Sequence, residues 1–325
     1  MNRGFWRERR VFITGHTGFK GTWLTQWLAM LGARVTGYSL ADEVRDLPLL
    51  REAMSAADPE IVIHLAAQAL VRASYEDPVT TFTTNVIGTV NVLEAIRTTP
   101  SVRVAIMVTS DKCYANNGDA HAFKEDDPLG GRDPYSSSKA SAELAIAAYR
   151  ASFFGAPDAP RIVSVRAGNL IGGGDWSKDR LVPDLVRAFR AGEPAHIRYP
   201  DATRPWQFVL DALHGYLLAA ECAFAGDAPH AFNFGPDLHG ARTVRWLAGA
   251  MAARWGGGAA WQESKAEHPH EALSLALDST RAREILAWTP LLDAATAVEW
   301  TSGWYQSPRD LTAEQIERFM EMLPA

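Results

Sequence analysis

Cysteine is nearly absent from this chain. Two residues, Cys113 and Cys222, among 325 cannot form a disulfide framework or a cysteine-rich metal site, and a reducing cytoplasm is the simple expectation. The histidines show no metal-ligand spacing, so no metal is expected. A basic excess is missing too. The formal net charge is −6, without the basic stripe that marks a nucleic-acid binder. No window of about 18 residues is free of charged and polar side chains, so no membrane-spanning helix is expected. The N-terminus is basic (Arg3, Arg7, Arg9, Arg10) but runs into a short strand rather than a cleavable apolar core. Internal repeats and low-complexity tracts are absent. What remains, with 47% apolar residues, is enough for one large α/β unit or two closely joined domains.

The most informative stretch is Val11 to Gly21, VFITGHTGFKG. A short apolar strand runs into Gly15, Gly18 and Gly21, and an amphipathic helix follows. Gly15 permits the turn, Gly18 lets the backbone approach a pyrophosphate, and Gly21 lets helix and strand pack closely. The phosphates would rest on free N–H groups at the helix N-terminus. Phe19, Trp23, Leu24, Trp27, Leu28 and Leu31 recur at helical spacing and predict a helix over 17–31. Gly32 stops it, and a second strand follows at 34–39.

Apolar strands then alternate with helices: strand 61–65, helix 79–98, strand 104–109, helix 135–154, strand 162–166. Continuous apolar strands separated by helices imply a doubly wound parallel sheet covered on both faces, with function at the carboxyl ends of the strands. The second half is less regular. A glycine loop at 172–174 precedes a helix over 184–191, a polar loop at 200–206, a helix over 211–225 and a short strand at 232–235. Residues 1–168 read as a Rossmann-type dinucleotide-binding domain to which segments near 205–236 return. Residues 169–325 read mainly as a smaller substrate-binding lobe.

Polar groups gather after the strands. His64-Leu65-Ala66-Ala67-Gln68 closes one, and small Ala66 and Ala67 suit close approach by a cofactor. Thr109-Ser110-Asp111-Lys112 closes the next. Tyr135 and Lys139, four apart, lie on one helical face. A phenol near pKa 10 is a poor base at neutral pH, but a neighbouring ammonium favours the phenolate. Tyr135 is then placed to take a proton from a hydroxyl whose oxygen Ser110 holds. Asp111 and Lys112 read either as a solvated charge pair or as an acid and a base for a second proton transfer.

The motifs TGHTGFKG (14–21), HLAAQ (64–68), SYEDP (74–78), NVIGT (85–89), TSDKCY (109–114), DPLGG (127–131), DPYSSSK (133–139), RAGNLIGGGDW (166–176), RPWQ (204–207) and NFGP (233–236) together resemble the extended short-chain dehydrogenase/reductase family, and within it most the CDP-glucose 4,6-dehydratases. The resemblance spans nearly the whole chain. It implies an NAD-dependent hydro-lyase making a 4-keto-6-deoxy sugar nucleotide through an internal redox cycle. Tyr135, helped by Lys139 and Ser110, would deprotonate the 4-hydroxyl. Lys112 would remove the C5 proton, and Asp111 would protonate the departing C6 hydroxyl. NAD would be held by Gly15, Thr17, Gly18, Phe19 and Gly21, by Glu43 and Val44, by Leu65, Ala66, Ala67 and Gln68, and by Thr109, Tyr135 and Lys139. Asn85, Asn169, Arg204, Trp206 and Gln207 would bind the nucleotide sugar. The family's habit implies a homodimer paired through helices 79–97 and 136–154.

One departure is large. Tyr38-Ser39-Leu40 runs almost directly into Asp42-Glu43-Val44-Arg45-Asp46. Relatives usually place roughly 25 more residues here, judged by the size of a βαβ unit, including a third strand and part of the adenosine pocket. No arginine fork for a 2′-phosphate is evident, which favours NAD over NADP. Residues 116–123 read as an ordinary loop.

Overall fold

The computed structural model describes residues 1–39, 43–118, 121–226, 228–236, 240–265 and 275–324. Six strands form the main sheet: β1 (Arg10–Thr14), β2 (Arg34–Tyr38), β3 (Ile61–His64), β4 (Val104–Val108), β5 (Arg161–Ala167) and β6 (Ala231–Phe234). Their order is β6-β5-β4-β3-β1-β2, and every pairing is parallel. The strands are apolar on both sides because both faces are covered. Val11, Ile13, Ile61, Ile63, Val104 and Ile106 enter one core, with Trp23 and Trp27 of helix α1 (Phe19–Met30). Phe12, Val62, Ala105 and Met107 enter the other, with Leu50 and Met54 of helix α2 (Leu47–Ala57). Alternate residues of a strand point to opposite faces, so one apolar run feeds two cores.

The chain leaves β1 towards β2 on one side and later returns to lay β3 on the other. This reversal opens a crevice at the carboxyl ends of β1 and β3. β2 is the edge strand, where Arg34, Thr36 and Gly37 are exposed and only Tyr38 is buried. After it come a 3₁₀ turn, Glu43–Arg45, and then α2, capped by Asp46 and opened by Pro48 in its first turn. Among the described residues no further strand flanks β2, which matches the short connection read from the sequence. Asp42 lies outside the described residues.

The helix expected over 79–98 is three pieces: Pro78–Phe82, a π-helical turn Thr83–Ile87, and α3 (Gly88–Arg97). Helix α4 (Pro134–Phe153) starts at a proline and carries a capping box between Asp133 and Ser136, which fixes the first turn that bears Tyr135. Helix α5 (Leu181–Ala191) begins earlier than expected, because Pro183 is tolerated in its first turn. Helix α6 (Val209–Ala225) packs on the sheet beside β5 and β4. The stretch 200–206, read as loop, contains a short antiparallel bridge of Thr203–Arg204 to Arg242–Thr243. The smaller lobe adds the parallel pair Ala195–Ile197 with Trp261–Glu263 and helices Val244–Trp255 and Ala294–Gln306. The last helix, Thr312–Met322, returns to the sheet domain and sets Phe319 edge-on against Trp27 at 5.6 Å.

Candidate active site

The glycine turn closes against the start of the β3 loop. Gly15 has φ +75°, and a Cβ there would lie 2.7 Å from the Ala66 nitrogen. A Cβ on Gly21 would lie 2.1 Å from the Gly15 carbonyl oxygen. No larger residue fits at either place. Gly18 is the N-cap of α1 and supplies no side-chain cap, so the first N–H groups of the helix are left for an anion. This cradle fits the pyrophosphate of a dinucleotide. Thr17 is exposed on its rim.

From the cradle a cleft of about 770 Å³ runs between the sheet domain and the lobe. Phe19, Lys20, Leu65 and Ala67 form its cofactor side, with Thr109, Ser110, Asp111, Lys112, Tyr135 and Lys139 at its centre. Asn169, Arg180, Arg198, Arg204 and Trp206 line the lobe side. Arg204 is largely buried, and the Trp206 indole donates to the Arg242 carbonyl at 3.1 Å.

Ser110 caps the 3₁₀ turn Asp111–Cys113, its oxygen accepting from the Lys112 N–H at 3.2 Å. Its hydroxyl donates to Asp111 Oδ1 at 3.0 Å. Asp111 is fully buried, and the Lys112 ammonium, partly open to the cleft, donates to the same oxygen at 3.2 Å. Asn169, at φ +52°, donates to Asp111 Oδ2 at 3.2 Å. Gly168 makes room for this carboxylate: a Cβ there would overlap Oδ2 at 1.8 Å.

Burial pushes the Tyr135 phenol up to about 12, with the nearby Ser110 hydroxyl pulling the other way and the Asp111 charge adding to the rise. Burial lowers Lys139 to about 8, opposed by Glu143 one turn further along α4. Lys20 is lowered to about 7, first by burial and then by the charges of Lys139 and Arg180, against the pull of Asp111. Lys20, Lys112 and Lys139 line the same cleft as this phenol. A bound positive ring would work against the burial penalty and favour its phenolate.

Several expected contacts go elsewhere. Asn85, expected to bind substrate, is buried. It accepts from the Gln68 N–H (2.8 Å), donates to the Gln68 carbonyl (2.9 Å) and donates to Ser138 (2.8 Å). The π-turn aims it inward, so it ties the loop after β3 to the catalytic helix. The Gln68 side chain bonds Leu70 and Thr81 and does not line the cleft. Gln207, also expected on the substrate, is 1% exposed. Its amide fits between the Phe234 carbonyl and the Ala212 N–H at 3.2 Å each, because β-pairing with Leu170–Ile171 turns it towards α6. Ala66 faces the cleft side of the turn only with its backbone, its methyl lying in the second core. Val44 is likewise a core residue, its carbonyl accepting from Asn91 at 3.0 Å. The Glu43 side chain lies outside the described residues.

The sequence reading missed Lys20, whose position in an apolar helix start hid it, and Arg180, which pairs with Asp175 at 3.0 Å across the mouth. It also missed a buried brace. Arg166 makes two bonds to Glu143, at 2.8 and 2.9 Å, and others to the Tyr114 hydroxyl (2.7 Å) and the Glu125 carbonyl (2.8 Å). Thr109 lines the cleft while its hydroxyl donates to Glu143. Glu143 therefore joins β4, α4 and β5 directly beneath the site. Among the described residues no group of His, Cys, Asp and Glu could hold a metal ion, and no helix is long and apolar enough to cross a membrane.

Fold and cleft together define a dinucleotide-dependent α/β enzyme with a Tyr–Lys pair and an adjoining acid–amine pair. The profile described as the NAD dependent epimerase/dehydratase family matches residues 11–235. The chain is 41% identical over 348 aligned positions to a CDP-glucose 4,6-dehydratase of Salmonella typhimurium, covering 98% of this chain and 97% of the relative. That alignment is longer than the 325 residues here, so the relative carries positions that this chain lacks. A UDP-glucose 4-epimerase of Mycolicibacterium smegmatis is 27% identical, covering 92% and 99%. Among solved structures, the fold matches the epimerase Mth375 of Methanothermobacter thermautotrophicus with a TM-score of 0.83, 21% identity and coverage of 97% and 96%. It also matches a Thermus thermophilus UDP-glucose 4-epimerase in complex with NAD, with a TM-score of 0.80, 23% identity and coverage of 92% and 100%. The chain belongs to the NAD dependent epimerase/dehydratase family, and NAD is its cofactor.

Proposed function

We propose that this chain is a nucleotide-sugar 4,6-dehydratase that converts CDP-glucose to CDP-4-keto-6-deoxyglucose. The observation that carries the reading is the Asp111–Lys112 pair, held by Ser110 and Asn169 within the same cleft as Tyr135 and Lys139. A 4-epimerase needs only the Tyr–Lys side of this site. An acid and an amine beside it supply a second proton transfer, which elimination of water requires. The 41% identity to the Salmonella dehydratase supports the CDP-sugar.

The residues divide the work. Tyr135 takes the proton of the sugar 4-hydroxyl, with Lys139 beside it favouring the phenolate. Bound NAD would supply the hydride acceptor for C4 and the hydride donor for C6. The 4-keto group acidifies C5, and Lys112 removes that proton. Asp111 protonates the departing C6 hydroxyl. The Gly15–Gly21 turn, with Thr17, Phe19, Leu65 and Ala67, holds the dinucleotide. Asn169, Arg204 and Trp206 hold the nucleotide sugar, the guanidinium suiting a diphosphate. Asn85, Gln68 and Gln207 position the walls of the site instead.

The assembly we propose is a homodimer in the cytoplasm. Val79, Ile87, Leu144 and Phe153 are all exposed on the two helical segments expected to pair, an arrangement that fits a covered face. Both cysteines are free, as a reducing compartment keeps them. Incubation with NAD⁺ and each of CDP-, UDP- and dTDP-glucose, with products read by mass spectrometry, tests the activity. Loss of one water from CDP-glucose alone is expected. Epimerised sugar without water loss would overturn the reading.

A further inference from the structure

Lys20 takes no part in the proton transfers of Tyr135, Lys112 and Asp111, yet it reaches into their cleft. Phe19 and Lys20 open α1 directly after the glycine cradle. Phe19 turns towards the 172–174 loop, where a Cβ on Gly172 would lie 3.2 Å from the tip of its ring. Lys20 turns into the cleft that holds Tyr135, Lys139 and Asp111. Its Nζ lies 5.8 Å from the centre of the Tyr216 ring, and an aromatic face steadies a cation without cancelling its charge. Among the described residues no carboxylate pairs with this ammonium and no acceptor hydrogen-bonds to it. The Tyr216 hydroxyl is itself buried without a partner. Asp111, the carboxylate at the centre of the site, already accepts from Ser110, Lys112 and Asn169. A positive charge is thus held in the cleft without a counterion.

A dinucleotide lies across the crevice with its pyrophosphate on the α1 N-terminus and its adenosine towards the end of β2. Its nicotinamide half then extends over β3 and β4, towards Tyr135. Tyr216 belongs to α6, which packs on β5 and β4, while β2 is the opposite edge of the sheet. A lysine resting on Tyr216 therefore reaches away from the adenosine and towards the nicotinamide. We propose that Lys20 sets the reduction potential of the bound cofactor, its ammonium disfavouring the cationic ring of NAD⁺ relative to the neutral ring of NADH. Oxidation at C4 breaks the C4–H bond, places that hydride on the ring and leaves the hydroxyl proton on Tyr135, so the ring loses its charge as the keto group forms. A cation held beside the ring favours that direction. Whether the ammonium keeps its proton there or sheds it, binding of NAD⁺ bears the cost and binding of NADH does not. Hydride leaves C4 before any water is lost, so Lys20 acts upstream of the elimination that defines the dehydratase reading.

The test measures binding of NAD⁺, NADH and ADP-ribose by calorimetry to the full chain, as wild type and with Lys20→Met, Lys20→Gln or Lys20→Arg. ADP-ribose carries the adenosine and the pyrophosphate without the nicotinamide. In Lys20→Met and Lys20→Gln, NAD⁺ is expected to gain about tenfold in affinity relative to NADH, a fall of about 30 mV in the potential of the bound two-electron couple. ADP-ribose affinity is expected to stay at the wild-type value, which also reports that the cleft has folded. Lys20→Arg keeps the charge and is expected to keep the wild-type ratio. A ratio of NAD⁺ to NADH affinity that neither neutral variant changes overturns the proposal. Equal weakening of all three ligands overturns it too, and assigns Lys20 to the phosphates instead. Water loss from CDP-glucose by wild type tests the dehydratase reading separately, so failure of one reading is told from failure of the other.

Discussion

Two acid–base pairs gather at the carboxyl end of β4, one just after Thr109 and the other bonded to it, and they differ in almost every physical respect. Glu143 and Arg166 are both sealed, with side chains 3% and 5% exposed, and join through two parallel bonds. Arg166 spends further donors on Tyr114 and Glu125. Asp111 and Lys112 share one contact of 3.2 Å, and the lysine end opens to the cleft. In the first pair, saturated hydrogen bonding leaves neither partner free to trade a proton. In the second, a single contact holds an acid and an amine together while leaving the amine able to reach a substrate. The difference teaches that charge type does not separate structural from reactive pairs. Bond saturation and access do.

The largest expected effect is on the open pair. Lys112→Ala should lower product formation by about 10²–10⁴-fold and abolish C5 proton exchange in D₂O, while NAD binding and thermal stability stay close to wild type. Undiminished exchange would refute Lys112 as the base. On the sealed pair, Arg166→Met strands a buried carboxylate and should cost about 3–5 kcal/mol of stability, read by urea unfolding. The double variant Glu143→Leu with Arg166→Met should regain most of that loss. If the single variant is as stable as Lys112→Ala, the distinction between the pairs collapses.

Gly168→Ala probes what keeps the open pair in place. The new methyl meets Asp111, and overpacking of this kind costs about 1–3 kcal/mol. Relief by moving Asp111 should reduce water elimination more than NAD affinity. The smallest effect concerns another sealed ionisable group. His214 lies between Trp27 and Phe319, with ring centroids at 6.4 and 6.2 Å, and burial holds it at about 3 against an ordinary 6.5. Between those values the unfolded chain binds the extra proton, so stability is lost as pH falls below 6.5. His214→Leu should remove about 2 kcal/mol of the loss between pH 7 and 5. Parallel stability curves for wild type and variant over that interval would contradict a neutral buried imidazole.

Much of the site was legible because its signals are local. Tyr135 and Lys139 share a helix face by spacing alone, and Gly15 and Gly21 sit where no Cβ fits. The expected contacts that go elsewhere belong to residues whose direction depends on distant partners. Asn85 is turned by a π-helical turn that no periodicity reveals. Gln207 is turned by pairing with a strand far earlier in the chain, Leu170 opposite Gln207. Val44 reads as a cofactor residue beside acidic neighbours, but the short connection after β2 folds it into the core.

The sequence by itself determined the alternation of strand and helix, the glycine cradle, the capped start of α4 and the pairing of Tyr135 with Lys139. Each depends on contacts within a few residues, where sterics and helical period leave little choice. Tertiary structure alone decided that Glu143 braces three elements, that Asn169 and Gly168 shape the seat of Asp111, and that Lys20 turns into the cleft. Those outcomes join segments far apart in the chain, and only packing of the sheet and its helices brings their side chains within bonding distance.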